Sequence, residues 1–398
     1  MNTQMPAGFR YAGIHAGIKD GVQTGKKDVA LIVSDIAATV AGVFTTNKIQ
    51  AAPVRLCRQR VAGGMARALF INSGNANACT GQAGFQDAIK TGQKVAAALG
   101  IPEEEALVCS TGTIGIPLPM DRIEKGIDAA VSALNSGSFN EAATAIMTTD
   151  TRPKQVSTNL NIDNRPVSIY GMAKGSGMIH PNMATMLGFI LTDADVEQNA
   201  MQECLSDAVE MSFNRITVDG DESTNDTVLM LANGKAGNAR LCSESSDWPT
   251  FKTAVESVAK DLARMIVEDG EGATKFVTVR VEGAASESDA RLAANAVAKS
   301  LLVKTAWYGA DPNWGRIMAA IGYSGAELNE DQVTIAFDDL DVVKNGVSAG
   351  APESELKEII LKHEFSLNIS LGAGSFEHSV CSCDISHEYV NINASYMT

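Results

Sequence analysis

From Lys174 to Ile190 the chain reads Lys-Gly-Ser-Gly-Met-Ile-His-Pro-Asn-Met-Ala-Thr-Met-Leu-Gly-Phe-Ile, and the hydroxyl of Thr185 stands where an irregular backbone meets an apolar strand. Gly175 and Gly177 permit sharp turns there, and Pro181 removes a backbone donor. A hydroxyl on the first residue of a core strand is held rigidly enough to act as a nucleophile. The same spacing also describes a loop running into a strand, with Thr185 as an ordinary β-former. On spacing alone that plain reading outweighs the chemical one. The run Ser110-Thr111-Gly112-Thr113 has a plain reading too, a β-turn after the Leu107-Val108 strand.

Other constellations carry less. Asp219, Asp221, Glu222 and Asp226 are clustered, but their spacing does not fit a calcium loop, and a polar turn is expected. His378, Cys381, Cys383 and His387 suggest zinc by residue type only. A Cys-x-Cys pair lies outside the usual ligand spacing, and strand alternation puts both thiols on one face. No metal is expected. His180, five residues before Thr185, is expected to be structural. No glycine-rich phosphate loop occurs, so no cofactor is expected.

The elements that must position these groups alternate between strand and helix. Residues 29–33 and 68–71 read as buried strands. Residues 85–99, ended by Gly100, and 120–134 read as amphipathic helices. Residues 155–172 read as a hairpin turning at Asp163-Asn164. Further helices are expected over 197–213 and 248–267. From Lys275 the character shifts: a strand over 276–281, a helix capped by Ser286 or Ser288, a strand over 332–337, a helix over 353–362 and a strand over 365–371. This predicts an α/β fold with a boundary near residue 275, dividing the chain into 1–275 and 276–398.

With 398 residues the chain suggests one large domain or two. Its net charge of −15 repels phosphate backbones, so no nucleic-acid partner is expected. No apolar run approaches the ~18 residues of a membrane span, and residues 1–6 lack the features of a signal peptide. Seven cysteines at scattered positions suggest reduced thiols, mostly in cores, and a cytoplasmic location.

The segment around Thr185 does not stand alone. Residues 72–81, 109–115 (Cys-Ser-Thr-Gly-Thr-Ile-Gly), 147–151 (Met-Thr-Thr-Asp-Thr), 212–221, 269–275 (Asp-Gly-Glu-Gly-Ala-Thr-Lys), 311–316 and 389–394 flank it. Together, in this order, they resemble the glutamate N-acetyltransferase (ornithine acetyltransferase, ArgJ) family over essentially the whole chain. The resemblance implies an α/β fold of the αββα type, a sandwich like those of self-cleaving N-terminal-nucleophile enzymes, with a smaller C-terminal α/β domain. It implies cleavage between Ala184 and Thr185, giving an alpha chain 1–184 and a beta chain 185–398. Thr185 then becomes the nucleophile. A threonine hydroxyl is a weak nucleophile, and the freed α-amine, with an ordinary pKa of about 7.7–8.0, serves as its base.

By the same resemblance Thr111 and Gly112 form the oxyanion hole, and Thr148, Lys174, Thr185, Glu271, Asn393 and Thr398 bind substrate. Lys174 suits a substrate carboxylate and Glu271 an ornithine ammonium, and a chain ending in Thr398 could deliver its terminal carboxylate to the pocket. The plain alternatives are a solvated lysine, a surface glutamate and a frayed terminus. The implied reaction is ping-pong acetyl transfer from N2-acetylornithine to glutamate in arginine biosynthesis, with acetyl-CoA as a second acetyl source in some relatives. A heterotetramer of two alpha and two beta chains is the family expectation. Two rivals remain open: an amidohydrolase or aminopeptidase on the same nucleophile plan, and an uncleaved binding protein.

Overall fold

The computed structural model describes residues 5–18, 25–180 and 186–395. In chain order the first unit contains β1 (Phe9–Ile14), β2 (Val29–Phe44), α1 (Ala52–Val61), β3 (Met65–Asn75), α2 (Gly81–Leu99), β4 (Ala106–Thr113) and α3 (Met120–Ala133). It continues with α4 (Phe139–Ala145), β5 (Lys154–Ile162), β6 (Arg165–Lys174), β7 (Leu187–Thr192), α5 (Gln198–Glu210), β8 (Ile216–Thr217), β9 (Thr227–Ala232) and α6 (Trp248–Glu268).

One continuous sheet, ordered β4-β3-β2-β9-β7-β6-β5 with β1 also on β2, supplies both middle layers. β2 makes this possible because it is long and interrupted. Its first half pairs with β1 and β3, its second half with β9, and the β2–β3 register shifts between Val33 and Ala38. Side chains alternate across each strand. Ile32, Leu69, Ile71 and Leu107 from one half therefore meet Leu187, Phe189, Leu229 and Leu231 from the other in one core. The opposite face of the first half, with Leu31, Phe70 and Val108, is covered by α2 and α3 through Val95, Ile123 and Ile127. The opposite face of the second half, with Ile169, Ile190 and Met230, is covered by α5 and α6 through Leu205, Val258 and Leu262. The order of layers is α, β, β, α, as expected.

The expected strand over 29–33 is only the start of β2, because Ser34 and exposed Asp35 interrupt the apolar run, while the strand continues and pairs with β3 again from Ala38. The hairpin turns where expected, with Asp163 and Asn164 at φ 49° and 57°. Ser110 to Thr113 is strand, not turn. Parallel β3 pairs with it up to Gly112 and Thr113, and Ser110 Oγ donates to Asn72 Oδ1 at 2.7 Å.

The second sheet begins at β10 (Phe276–Ala284) and adds α7 (Glu287–Lys299), α8 (Leu301–Tyr308), α9 (Trp314–Gly322), β11 (Thr334–Phe337), β12 (Leu340–Lys344) and β13 (Val347–Ser348). α10 (Glu353–Leu361), β14 (Glu364–Ser370), β15 (Phe376–Cys383) and α11 (His387–Ser395) follow. Its order is β13-β12-β11-β14-β10-β15-β8, so β8, from the first unit, closes one edge. One face buries Val279, Leu367 and Val380 under α7, α8 and α9. At the β8 edge, Phe276 and Cys383 join the core of the first unit beneath α6. Ser286, not Ser288, caps α7 by accepting from the Asp289 N–H. Among the described residues no helix is long and apolar enough to cross a membrane.

Candidate active site

A cavity of about 230 Å³ opens where the ends of β4 and β6 meet the segments after α4, after α6 and in α11. Thr111, Gly112, Thr148, Lys174, Glu271 and Asn393 all line it. Of the residues singled out in the sequence, Ala184, Thr185 and Thr398 lie outside the described residues. Thr185 is nonetheless one bond from described structure, because Met186 leads into β7. A larger cavity of about 590 Å³ opens beside Asn75, Thr113 and Arg122, and none of those singled-out residues lines it.

Gly112 sits at φ 129°, a backbone that side chains disfavour, and a Cβ there would lie 2.3 Å from the Gly74 carbonyl carbon. The β3–β4 register shifts at this point, between Gly74 and Asn75. A glycine is therefore required for the backbone to face the cavity with no side chain in the way. Beside it, Lys174 Nζ lies 3.4 Å from Thr111 Oγ1.

Lys174 is not the solvated lysine of the plain reading; it is 3% exposed. Burial pushes its pKa down, and Asp150, Glu271 and Asp226 nearby oppose that shift. Asp150 is held beneath it. Burial raises the Asp150 pKa, but Lys174, Lys154 and the Gly175 N–H outweigh that and bring it below the ordinary carboxylate range. Lys154 Nζ bonds both Asp150 at 2.6 Å and Asp269 at 2.5 Å, with all three side chains buried. Asp150 also accepts from the N–H of Thr148 at 3.0 Å and of Gly175 at 2.7 Å. Asp269 accepts from Thr151 N at 3.1 Å, and its carbonyl accepts from Ser176 Oγ at 2.6 Å. This ion triad ties three cavity walls together.

Glu271 is also buried, against the expectation for a surface turn, and accepts from Asn393 Nδ2 at 2.7 Å. Asn393 is on α11, not on a frayed tail. α11 is attached further by Ser386 Oγ donating to Gly272 O at 2.6 Å and Tyr389 OH donating to Asp219 at 3.3 Å. Burial raises the Asp219 pKa to about 6, although it accepts the N–H groups of Met178 and Ile179.

The connection from β8 to β9 touches everything else. Asn225 Nδ2 donates to Ala76 O at 2.7 Å and Ser110 O at 2.8 Å, and Asp226 Oδ1 accepts the Met186 N–H at 2.8 Å. Burial pushes the Asp226 pKa well up. His180 is buried, contacts Thr217 Oγ1 through Nδ1 at 3.3 Å and is pushed down to about 4 by burial and Lys299. Sequence reasoning missed Lys154 and Asn225 as organisers. Asp226 was visible only in an acidic cluster, Asp219 in that cluster and the 212–221 run, and Asp150 and Asp269 only as members of the 147–151 and 269–275 runs.

The cavity thus pairs a buried cation with a buried carboxylate beside a glycine-exposed backbone. That suits a small zwitterion whose carbonyl carbon is attacked. A sequence model of the ArgJ family matches residues 10–398. The chain is 48% identical to the arginine biosynthesis bifunctional protein ArgJ of Caldanaerobacter subterraneus, over 99% of this chain and 98% of that one. It is 51% identical to the protein of the same name from Symbiobacterium thermophilum, over the same shares. The crystal structure of arginine biosynthesis bifunctional protein ArgJ from Bacillus halodurans is 42% identical, with a TM-score of 0.51, over 52% of this chain and 98% of that one.

Proposed function

The chain belongs to the ArgJ family, and on that premise we propose that it is a self-cleaving acetyltransferase of arginine biosynthesis with Thr185 as nucleophile. The observation that carries the reading is the single cavity lined by Thr111, Gly112, Thr148, Lys174, Glu271 and Asn393. Those residues come from segments up to 282 positions apart, 393 − 111. The Bacillus halodurans chain adds support: about half of this chain spans nearly all of it, the length expected of one piece of a cut precursor.

In self-cleavage the Thr185 hydroxyl attacks the Ala184 carbonyl. The acyl group moves from nitrogen to oxygen, the nitrogen takes the hydroxyl proton, and water hydrolyses the ester. Residues 1–184 now end in a carboxylate and stay in place, and Thr185 keeps a free amine. That amine then accepts the hydroxyl proton while the oxygen attacks the acetyl carbonyl of N2-acetylornithine. Thr111 and Gly112 stabilise the tetrahedral oxyanion. Its collapse returns the proton to the departing ornithine amine and leaves acetyl-Thr185. The α-amine of glutamate attacks this ester, giving N-acetylglutamate and the free enzyme. Lys174 pairs with the substrate α-carboxylate. Glu271 takes the side-chain ammonium of ornithine. Thr148 and Thr398 complete the pocket, and two alpha and two beta chains assemble.

Denaturing mass spectrometry tests the first step: wild type gives pieces of 184 and 214 residues, 398 − 184 = 214, and Thr185→Ala stays whole. An active enzyme of intact 398-residue chains contradicts the proposal. Assaying acetylornithine with and without glutamate tests the second, because release of acetate alone identifies an amidohydrolase. Supplying acetyl-CoA in place of acetylornithine shows whether the enzyme is bifunctional. Native mass spectrometry of the mature protein reads the assembly.

A further inference from the structure

We propose that the adjacent side chains of Asn225 and Asp226 are positioning residues that tie the oxyanion-hole end of β4 to Met186, the residue that follows Thr185. The inference rests on the roles of Thr185, Thr111 and Gly112 in the reading above and deepens it.

Asn225 grips the oxyanion side. Its amide donates to Ser110 O at 2.8 Å and to Ala76 O at 2.7 Å, with Thr224 Oγ1 donating to its Oδ1 at 2.7 Å. The amide orientation is therefore determined from both ends. Ser110 O belongs to the same planar trans peptide as the Thr111 N–H, so holding the oxygen fixes the opposite direction in which that N–H points. Pairing with β3 keeps Ser110 and Thr111 in register, and the ladder shifts just beyond them, between Gly74 and Asn75. Asn225 spans that shift by joining Ser110 on β4 to Ala76 just past β3.

Asp226 grips the nucleophile side. Its Oδ1 accepts the Met186 N–H at 2.8 Å, and the Met186 carbonyl accepts the Thr227 N–H at 3.2 Å. The peptide plane containing Met186 N also contains the carbonyl and Cα of Thr185 by covalent geometry. Asp226 is fully buried, and its Oδ2 has no hydrogen-bond partner among the described residues. Burial raises its pKa, and an amide in its place keeps an oxygen that can accept the Met186 N–H. One peptide bond joins the two grips, so Ser110 O and the Met186 N–H are held by the same short segment. Displacement of reacting groups by about 1 Å is enough to lose roughly 100-fold in rate.

The test uses the full chain with Asn225→Ala, Asp226→Ala and Asp226→Asn, alongside Thr185→Ala. Self-cleavage is followed by denaturing mass spectrometry, transfer by kcat and KM, and folding by Tm. In N225A and D226A, kcat and the cleavage rate fall together by about 10- to 100-fold, while KM stays within about threefold. D226N recovers most of the D226A loss, since its amide oxygen still accepts the Met186 N–H. Folded N225A and D226A with undiminished kcat overturn the inference, as does D226N falling as far as D226A. Should N225A not fold, N225S, with one remaining donor, is read in its place by the same criterion. An active T185A sinks the underlying mechanism instead. A dead T185A beside fully active N225A and D226A sinks only this inference.

Discussion

Asn393 Nδ2 stands 2.7 Å from Glu271 Oε2, joining α11 to a carboxylate 122 positions earlier. This bond holds the Glu271 side chain at the cavity, where Gly177 leaves room for it: a Cβ on residue 177 would lie 2.4 Å from Oε2. Asn393→Ala removes one charge-assisted bond, and Gly177→Ala pushes the carboxylate aside. Each raises KM for acetylornithine by about tenfold with kcat nearly unchanged, the pattern of lost ground-state binding. Initial-rate kinetics check this, and a fall in kcat at constant KM contradicts the assignment.

Gly112 makes the strictest demand on its residue type. Gly112→Ala combines φ 129° with a Cβ 2.3 Å from backbone, so β3 and β4 must part at the end of β4, where the oxyanion hole is proposed. Losing one oxyanion donor costs roughly 100- to 1000-fold in kcat. The uncut fraction of G112A, read by gel or mass spectrometry, should rise along with that loss, because cleavage passes through an oxyanion too.

The buried triad governs stability. Lys154→Met leaves Asp150 and Asp269 facing each other without their common cation. Removing one partner of a buried pair destabilises by about 3–5 kcal/mol. Denaturant unfolding should show this as a lower midpoint, and a midpoint equal to wild type refutes the role.

His180 sets a pH dependence. Its pKa is about 4 in the fold, below its ordinary 6.5, so the fold favours the neutral ring. Its stabilising contribution is complete above about pH 6.5 and is lost as pH falls through about 4. From pH 7 to pH 3.5 wild type should lose roughly 3 kcal/mol more than His180→Gln. Asp219, raised to about 6, acts oppositely: its contribution is complete below its ordinary 3.8 and is lost as pH rises through 6. Equal acid losses in wild type and H180Q refute the first statement.

Alternation and helical periodicity in the chain determined the α/β character, the Asp163-Asn164 hairpin and most helices, because they report which side of a short segment is apolar. The motif segments named Thr111, Gly112, Thr148, Lys174, Glu271 and Asn393. Local reading alone had left Lys174 solvated, Glu271 on the surface and Asn393 frayed, since burial depends on what other segments cover. Only the tertiary structure decided that β2 bends to serve both layers, that β8 joins the second sheet, and that Lys154 sits between Asp150 and Asp269. The same holds for Asn225, whose carbonyl partners lie 149 and 115 positions away. Hydrogen bonds and ion pairs act over about 3 Å of space, and nothing in the local sequence marks which distant segment will come that near.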